Sequence, residues 1–384
     1  MADYKRLGDY IKEVNVRNRE LKVTALVGLT IDKAFIPSVA NVIGTDLSNY
    51  KIISKEQFAC SLMQVSRDEK MPIAMFEDEE AIMSPAYPMF EVIDKSVLMP
   101  QYLMMWFSRS EFDREASYYA VGGVRGSLTW EDFSNMRLPI PSIDCQREIV
   151  AEYETLTRRI RLNEQMIQKL EATAQALYHK MFVDGIDKDN LPEGWRMGTL
   201  REVAKYVNEK VSLTNISIST YVSTENMLKN KKGITISSRM PNEDRATLFD
   251  IDDVLVSNIR PYFKKIWRAT FRGASSNDVL CFRVKNDFNA SMLYYTLEQD
   301  AFFDYVMAGS NGVKMPRGDK EWIMAYTILI PSKKYIKQYQ DIANPIYNHI
   351  IRLKKENKKL TELQSLLLAR LGQYNKNMFS NSSC

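Results

Sequence analysis

The sequence predicts an α+β protein: two pseudo-twofold related globular α/β units, separated by two long helices that form an antiparallel coiled coil. Three observations carry this expectation. At 384 residues the chain exceeds what a single core organises, so two or three domains are expected. It also repeats itself about 190 residues on: Arg137-Leu138-Pro139-Ile140-Pro141-Ser142 and a long helical run return as Ile328-Leu329-Ile330-Pro331-Ser332 and another, with Ile160, Leu170, Leu177 and Met181 answered by Ile350, Leu360, Leu367 and Leu371. That period is too long for a solenoid. Third, both helical runs carry an apolar stripe at alternating four- and three-residue spacing, the mark of a coiled-coil seam.

In chain order, residues 1–143 read as the first globular unit. Short β-like runs at 23–29, 57–65 and 88–93 mix there with helical ones, the clearest helix covering 102–119 with apolar Leu103, Trp106, Phe107 and Phe112. Pro139 and Pro141 punctuate its end. The first spacer helix, 144–183, has no proline or glycine, and its seam runs Ile149, Tyr153, Leu156, Ile160, Asn163, Ile167, Leu170, Ala174, Leu177, Met181. Asp184-Gly185 stops it, and 184–195 is a turn-rich linker. The second globular unit, 196–332, opens with Leu200-Arg201-Glu202-Val203-Ala204, echoing Leu7-Gly8-Asp9-Tyr10-Ile11. Further echoes pair Ile259-Arg260 with Ser66-Arg67, Phe282-Arg283-Val284 with Phe90-Glu91-Val92, and Gly312-Val313-Lys314 with Gly123-Val124-Arg125. The second spacer helix, 333–372, has the seam Ile346, Ile350, Leu353, Leu360, Leu367, Leu371, interrupted by Asn357 and Gln364. Because proline suits a first helical turn, the long helix is expected to begin near Asn344-Pro345 after a separate short turn. Residues 373–384 read as a disordered tail.

Composition narrows the function. A hydrophobic content of 45% and a charged content of 26% are those of a soluble globular chain. No apolar run reaches membrane-span length and no signal peptide is recognisable. Cys60, Cys145, Cys281 and Cys384 show no metal or disulfide spacing, so a cytoplasmic protein is expected. The net charge of +4 is uneven: residues 1–143 are net −4, 144–183 neutral, 184–334 net +3 and 335–384 net +5. Any nucleic-acid surface must therefore be local rather than a stripe along the whole chain.

Geometry suggests a task. A helix over 145–182 is roughly 57 Å long. Two such helices must bury their seams against each other, and a tandem duplicate does so about a pseudo-twofold. Two modules on a stiff spacer make a ruler whose span matches roughly 10–15 base pairs, with the modules facing opposite strands as half-sites do.

Leu138-Pro139-Ile140-Pro141 followed by Gln146-Arg147-Glu148-Ile149-Val150, the linker Leu191-Pro192-Glu193-Gly194-Trp195, and Gly123-Val124-Arg125 ahead of the first Pro-x-Pro together resemble the specificity (S) subunit of type I restriction–modification systems, over nearly the whole chain. The resemblance implies two target-recognition domains, each reading one half of a split double-stranded DNA sequence. It implies helical regions that set the gap and dock two methyltransferase (M) subunits, with restriction (R) subunits joining the same core. It implies no cofactor in this chain, S-adenosylmethionine, ATP and Mg serving the partner subunits, and no membrane. There are departures. No Pro-Glu-Gly-Trp precedes Leu7-Gly8-Asp9, the loop Gly312-Val313-Lys314-Met315-Pro316-Arg317 is one residue longer than its counterpart, and Pro345 leaves the two helical arms free to differ in length.

Base edges are read by Arg, Lys, Asn and Gln, whereas phosphate contacts position a protein. The candidates in the first unit are Arg67, Lys70 and Arg125, the last following Gly122-Gly123, with Tyr87 placed to stack or touch sugar. In the second unit they are Asn258, Arg260, Tyr262, Lys264 and Lys265 in one run, with Lys314 and Arg317 flanking a glycine turn. Each also reads as a solvated surface group or a core tyrosine.

Signs of catalysis are scarce. His179 and His349 both fall on expected helices, no phosphate-binding GxxxxGK[ST] loop occurs, and no Asn-Pro-Pro-Tyr or Asp-Pro-Pro-Tyr segment or glycine-rich turn for S-adenosylmethionine is present. Asp46 with Asp68-Glu69-Lys70 only loosely mimics a metal-dependent nuclease centre. A non-catalytic DNA-recognition subunit is the leading expectation, ahead of a coiled-coil scaffold that reads no DNA and of a metal-dependent nuclease. The ruler makes a prediction: inserting heptad-preserving segments near Asn163 and Asn357 lengthens the unread gap and leaves both half-sites unchanged. Selection of bound duplexes from a random pool measures this, and altered half-sites would disprove the ruler.

Overall fold

The computed structural model describes residues 4–38, 44–63, 65–121, 126–285 and 288–372. Arg125, with Gly122, Gly123 and Val124, and the tail 373–384 lie outside them. The chain divides into two compact units, Met1–Leu162 with Glu356–Cys384, and Asn163–Lys355. Each takes a stretch of both long helices: the first unit joins two separate segments, whereas the second is one continuous segment.

In the first unit, Tyr4–Arg6 pairs antiparallel with Arg137–Pro139, the strand that leads into the first long helix. The main sheet is antiparallel, in the order Ile11–Glu13, Met89–Val92, Phe58–Cys60, Ile73–Met75. Its apolar face packs on the helices Pro100–Phe107, Ser110–Ala120 and Trp130–Asn135 through an aromatic core. Phe58 stacks on Phe90 at 5.0 Å, and Phe107 meets Phe112 at 4.9 Å and Phe133 at 5.9 Å. A smaller core under Lys51–Ser54 and Glu80–Met83 holds Ile53, Phe76 and Met83.

The helix expected over 102–119 is two helices. The break falls at Ser108-Arg109, where no proline or glycine stands. Arg109 leaves the helical conformation (φ −76°, ψ 141°) and lays its guanidinium on the Trp106 ring at 4.0 Å. Tertiary packing, rather than local propensity, makes this break.

The second unit repeats the plan. Arg196–Thr199 pairs with Thr327–Ile330, again the strand ahead of a long helix. Its main sheet runs Ala204–Tyr206, Val279–Val284, Val254–Ser257, Ile266–Arg268, and the helices Ala290–Glu298, Asp300–Ala308 and Lys320–Met324 cover one face. Register preserves the echo: Ala204 faces Val284 in this sheet as Ile11 faces Val92 in the other. A second sheet, Lys210–Ser212, Arg245–Phe249, Gly273–Ser275, Tyr221–Val222, adds two small cores.

The first long helix is Ile143–Phe182 and the second is Lys333–Leu371. The second does not begin at Asn344-Pro345. Pro345 lies inside it, removing one hydrogen bond. The turns before Pro345 hold because Ile336, Tyr339 and Ala343 are buried in the core of the second unit. Every seam position of the first helix is buried or half-buried, and between Tyr153 and Ala174 the residues off the seam are exposed. In the first unit the helices run antiparallel: Arg159 pairs with Glu356 at 2.7 Å, the Asn357 side chain donates to the Ile160 carbonyl at 3.4 Å, and Gln364 donates to Thr157 at 2.7 Å. In the second, Ile167, Ile350 and Leu353 form a core with Leu170 and Ile346, edged by Lys354 and Glu171 at 2.9 Å.

The motif residues anchor these helices. Gln146 is fully buried, donating to the carbonyls of Val97 and Pro141 at 2.8 and 2.9 Å and accepting from Met99 N–H at 2.8 Å. Trp195 of the Pro-Glu-Gly-Trp linker wedges between Phe182 and Tyr335, one from each long helix. In the first unit the end of the second helix closes the core through Leu368 and Leu371, and Tyr4 hydroxyl donates to the Gly372 carbonyl at 2.9 Å.

Ile350→Ala in the buried seam is expected to cost about 2–5 kcal/mol in urea denaturation. Lys354→Ala, which removes only an exposed ion pair, is expected to cost under about 1 kcal/mol. Equal losses would place the stability of the helix pair in its charges instead of its stripe.

Candidate nucleic-acid interface

The second unit concentrates its sequence-selected residues at one place. The strands Val254–Ser257 and Ile266–Arg268 form a hairpin whose tip is the 3₁₀ turn Pro261–Phe263. Pro261 presets the first residue of that turn. Arg260 and Lys264 flank it in the left-handed conformation, with φ 51° and 48°. A second hairpin, Ser310–Asn311 with Arg317–Gly318, lies alongside. Arg260 N–H donates to the Pro316 carbonyl at 2.8 Å, and Ile259 bridges Arg317. The contact is close: a Cβ on Gly318 would meet Val306 Cγ1 at 2.8 Å and Asn258 Oδ1 at 2.9 Å. That Asn258 oxygen is buried and has no hydrogen-bond partner among the described residues.

This arrangement brings together Asn258, Arg260, Tyr262, Lys264 and Arg317. The Tyr262 ring is half in solvent, Lys314 is exposed beside the fully exposed Val313, and Arg317 pairs with Asp278 at 3.1 Å. Lys265 is engaged otherwise. Its ammonium donates to the Thr224 carbonyl at 2.6 Å, and burial together with nearby Lys229 pushes its pKa down.

Sequence reading missed a third segment. Asn230 N–H donates to the Phe263 carbonyl and Lys231 N–H to the Lys264 carbonyl, both at 2.9 Å. Lys229 sits 4.1 Å over the Phe263 ring. Lys231 and Lys264 share Asp300, at 2.8 and 3.0 Å. Hydrogen bonds from Lys231 and then Lys264 hold the Asp300 carboxyl below the ordinary carboxylate range. The basic run Lys229-Asn230-Lys231-Lys232 ahead of Gly233 was the available signal. Among the described residues nine non-glycine residues have positive φ, and four of them, Asn230, Lys231, Arg260 and Lys264, build this tip. Such strain persists only where surrounding structure enforces it, and it gathers at functional sites.

In the first unit the corresponding place, between Phe58–Cys60 and Ile73–Met75, holds the one-turn helix Val65–Asp68. Arg67 is exposed but forked onto Asp68 at 2.7 and 3.1 Å, and Lys70 pairs with Asp32 at 3.3 Å. Gly126, where the glycine loop re-enters the described residues, abuts Ser66; a Cβ there would stand 2.1 Å from its Oγ. Tyr87 packs on the smaller core instead of lying open, its carbonyl accepting from Lys51 at 2.8 Å. Asp46 caps a 3₁₀ turn by accepting from Ser48 N–H at 2.9 Å. Among the described residues no group of three His, Cys, Asp or Glu side chains is placed to hold a metal, and no helix is long and apolar enough to cross a membrane.

Fold and site together define a tandem α/β protein: two units of one topology, each closed on long helices, with charged side chains borne on sheet-edge turns. Residues 43–172 match the family described as the type I restriction modification DNA specificity domain. Among solved structures the chain is similar to the S subunit of the type I restriction–modification system from M. genitalium, at 12% identity and TM-score 0.57 over 97% of this chain and 96% of that one. It is similar also to the HsdS subunit from Thermoanaerobacter tengcongensis, at 16% identity and TM-score 0.37 over 96% and 95%. A third match, from work on complex assembly and conformational transition of the type I R-M system, has 16% identity and TM-score 0.46 over 96% of each chain. Comparison with curated proteins found no match. The chain therefore has the fold of a type I S subunit, and the match to the DNA specificity domain covers residues 43–172.

Asp300 gives a pH signature. Its folded pKa is depressed, so the stability it contributes is present above the unfolded value and is lost as pH falls through the folded one. Between about pH 5 and pH 2 the denaturation midpoint of the wild type should fall more steeply than that of Asp300→Asn. Parallel curves would mean that the carboxylate is unpaired in solution.

Proposed function

We propose that this chain is the non-catalytic DNA-recognition subunit of a type I restriction–modification assembly. Each unit reads one half of a split duplex target through its sheet-edge turns. The long helices dock two methyltransferase subunits, and restriction subunits join them. Those partners hold S-adenosylmethionine, ATP and Mg and do the chemistry.

The observation that carries this reading is the strained basic tip of the second unit. Lys229, Lys231, Arg260, Lys264 and Lys314 are gathered on a backbone that four left-handed residues fix in shape. Cations on a preset surface suit phosphate contact, and the exposed Lys314 loop with the Arg317 edge suits entry into a groove. The first unit offers the turn Val65–Asp68 at the corresponding place, where Arg67 and Lys70, like Lys231, Lys264 and Arg317 of the second, each hold a carboxylate.

Competition binding tests it, using the chain co-expressed with its methyltransferase and a pool of random duplexes at two salt concentrations. Selection of a split motif is expected. Lys264→Ala should weaken binding to all sequences alike and lower the salt slope by about one. Arg317→Ala should cost about 1–3 kcal/mol of discrimination at one half-site. Binding without any sequence selection, or none at all, would overturn the reading and favour a scaffold. Cutting by the isolated chain would favour a nuclease.

A further inference from the structure

The second unit holds a partly open cavity of about 550 Å³, within the range of small-molecule sites. Helix Ala290–Glu298, strand Ile266–Arg268, the turn at 230–233 and the adjoining stretches of both long helices form its walls. Four aromatic residues stand in the lining: Trp267, Tyr294, Tyr295 and Tyr347. Three of its four cations are already matched, and the fourth, Lys232, is exposed to solvent. Arg268 is buried, pairs with Asp252 at 2.8 Å, donates to Ser291 and lies 3.4 Å from the Tyr347 ring centroid. Lys231 pairs with Asp300, and Lys354 with Glu171, at 2.8 and 2.9 Å.

Among the lining carboxylates Glu298 is the unmatched one. Glu298 ends its helix, where the last carbonyls already present negative charge. Its Oε1 accepts only a long 3.4 Å bond from Tyr294 hydroxyl, and its Oε2 is fully buried with no hydrogen-bond partner among the described residues. Burial pushes the Glu298 pKa up, with Lys231 and the Tyr294 bond opposing. A buried acceptor left in this state is costly and calls for a donor. An anion would find Arg268, Lys231 and Lys354 occupied and only the solvent-exposed Lys232 to meet it. A bare metal ion would find a single free carboxylate.

We propose that this cavity binds a small organic cation, a primary ammonium or guanidinium on a short alkyl chain. Glu298 supplies the charge-assisted hydrogen bond, and the tyrosine and tryptophan rings supply a cation–π wall. The site shares the 230–233 turn with the basic tip but is independent of DNA reading, because its ligand carries the opposite charge.

Saturation-transfer NMR and calorimetry on the full chain test it with three probes of equal chain length: butylammonium, butylguanidinium and butyrate. Saturation of one or both cations and not of butyrate is expected. Glu298→Gln should weaken the preferred cation on the order of tenfold, and Tyr347→Leu should weaken it without restoring butyrate. Because Glu298→Gln removes a buried charge and keeps the shape, it should fold; thermal unfolding of each variant is the check. Lys314→Ala, outside the cavity, should bind as wild type. Absence of saturation by either cation, or equal affinity in wild type and Glu298→Gln, overturns the proposal and leaves the DNA reading intact.

Discussion

Burial of a narrow apolar stripe is the constraint on which the rest of this structure depends. Each long helix is polar on most of its circumference and covers water-averse side chains only along the seam. Such a helix gains its stability from tertiary packing. The ends of each helix are covered by the cores of the units, and stretches between them, around Ile167, Ile350 and Leu353, are covered by the other helix. A unit is therefore assembled from sequence-distant parts. The first core, around Leu7, Phe58 and Phe107, is completed by Leu368 and Leu371 from the far end of the chain. Folding of that unit must wait for the last helix, a long-range closure that costs chain entropy before any contact repays it.

The two units keep the framework and vary the edges. The strand that leads into each long helix is paired with the opening strand of its unit, and the central sheets share order and register. These features are fixed by burial: shifting a strand by one residue turns its apolar set outward. The turns beyond the sheet edge bury little and are free of that constraint. One unit places a helical turn there, with Arg67 held by Asp68; the other places a 3₁₀ turn between two left-handed cationic residues. Side-chain chemistry can therefore change at the edge while the core stays put.

What the sequence disclosed follows the same division. The long helices were legible because their period is enforced over many turns, and the shared topology because strand echoes kept their spacing. The break at Ser108-Arg109 was not, since its cause is a guanidinium lying on Trp106 within a folded core. Pro345 misled for a related reason: its local preference marks a helix start, but Ile336 and Tyr339 hold the preceding turns in place. Gln146 was readable as part of a motif, whereas its purpose, satisfying three backbone groups of two other segments, is visible only in three dimensions. At the tip, Arg260 and Lys264 were found from one basic run. Lys231 was missed because its placement depends on a hydrogen bond to a residue thirty-three positions away.

The tip shows why charge count alone is a poor guide. Left-handed backbone at a non-glycine residue costs about 1–3 kcal/mol, and crowding lysines adds repulsion. A fold minimising its own energy would spread them along flexible side chains on relaxed backbone. Here the hairpin, the Asn230–Phe263 and Lys231–Lys264 bonds and Pro261 hold the backbone, and Asp300 offsets two of the ammonium charges. A single carboxylate serving two lysines leaves the group net positive yet ordered. Under the proposed reading, a duplex phosphate meets cations whose positions are already set, so little conformational entropy is lost on contact. On that reading the same ordering also makes the tip sensitive to the shape of the duplex. A duplex whose backbone runs at the wrong spacing cannot recruit lysines that are unable to follow it, and discrimination then arises from geometry as well as from base edges.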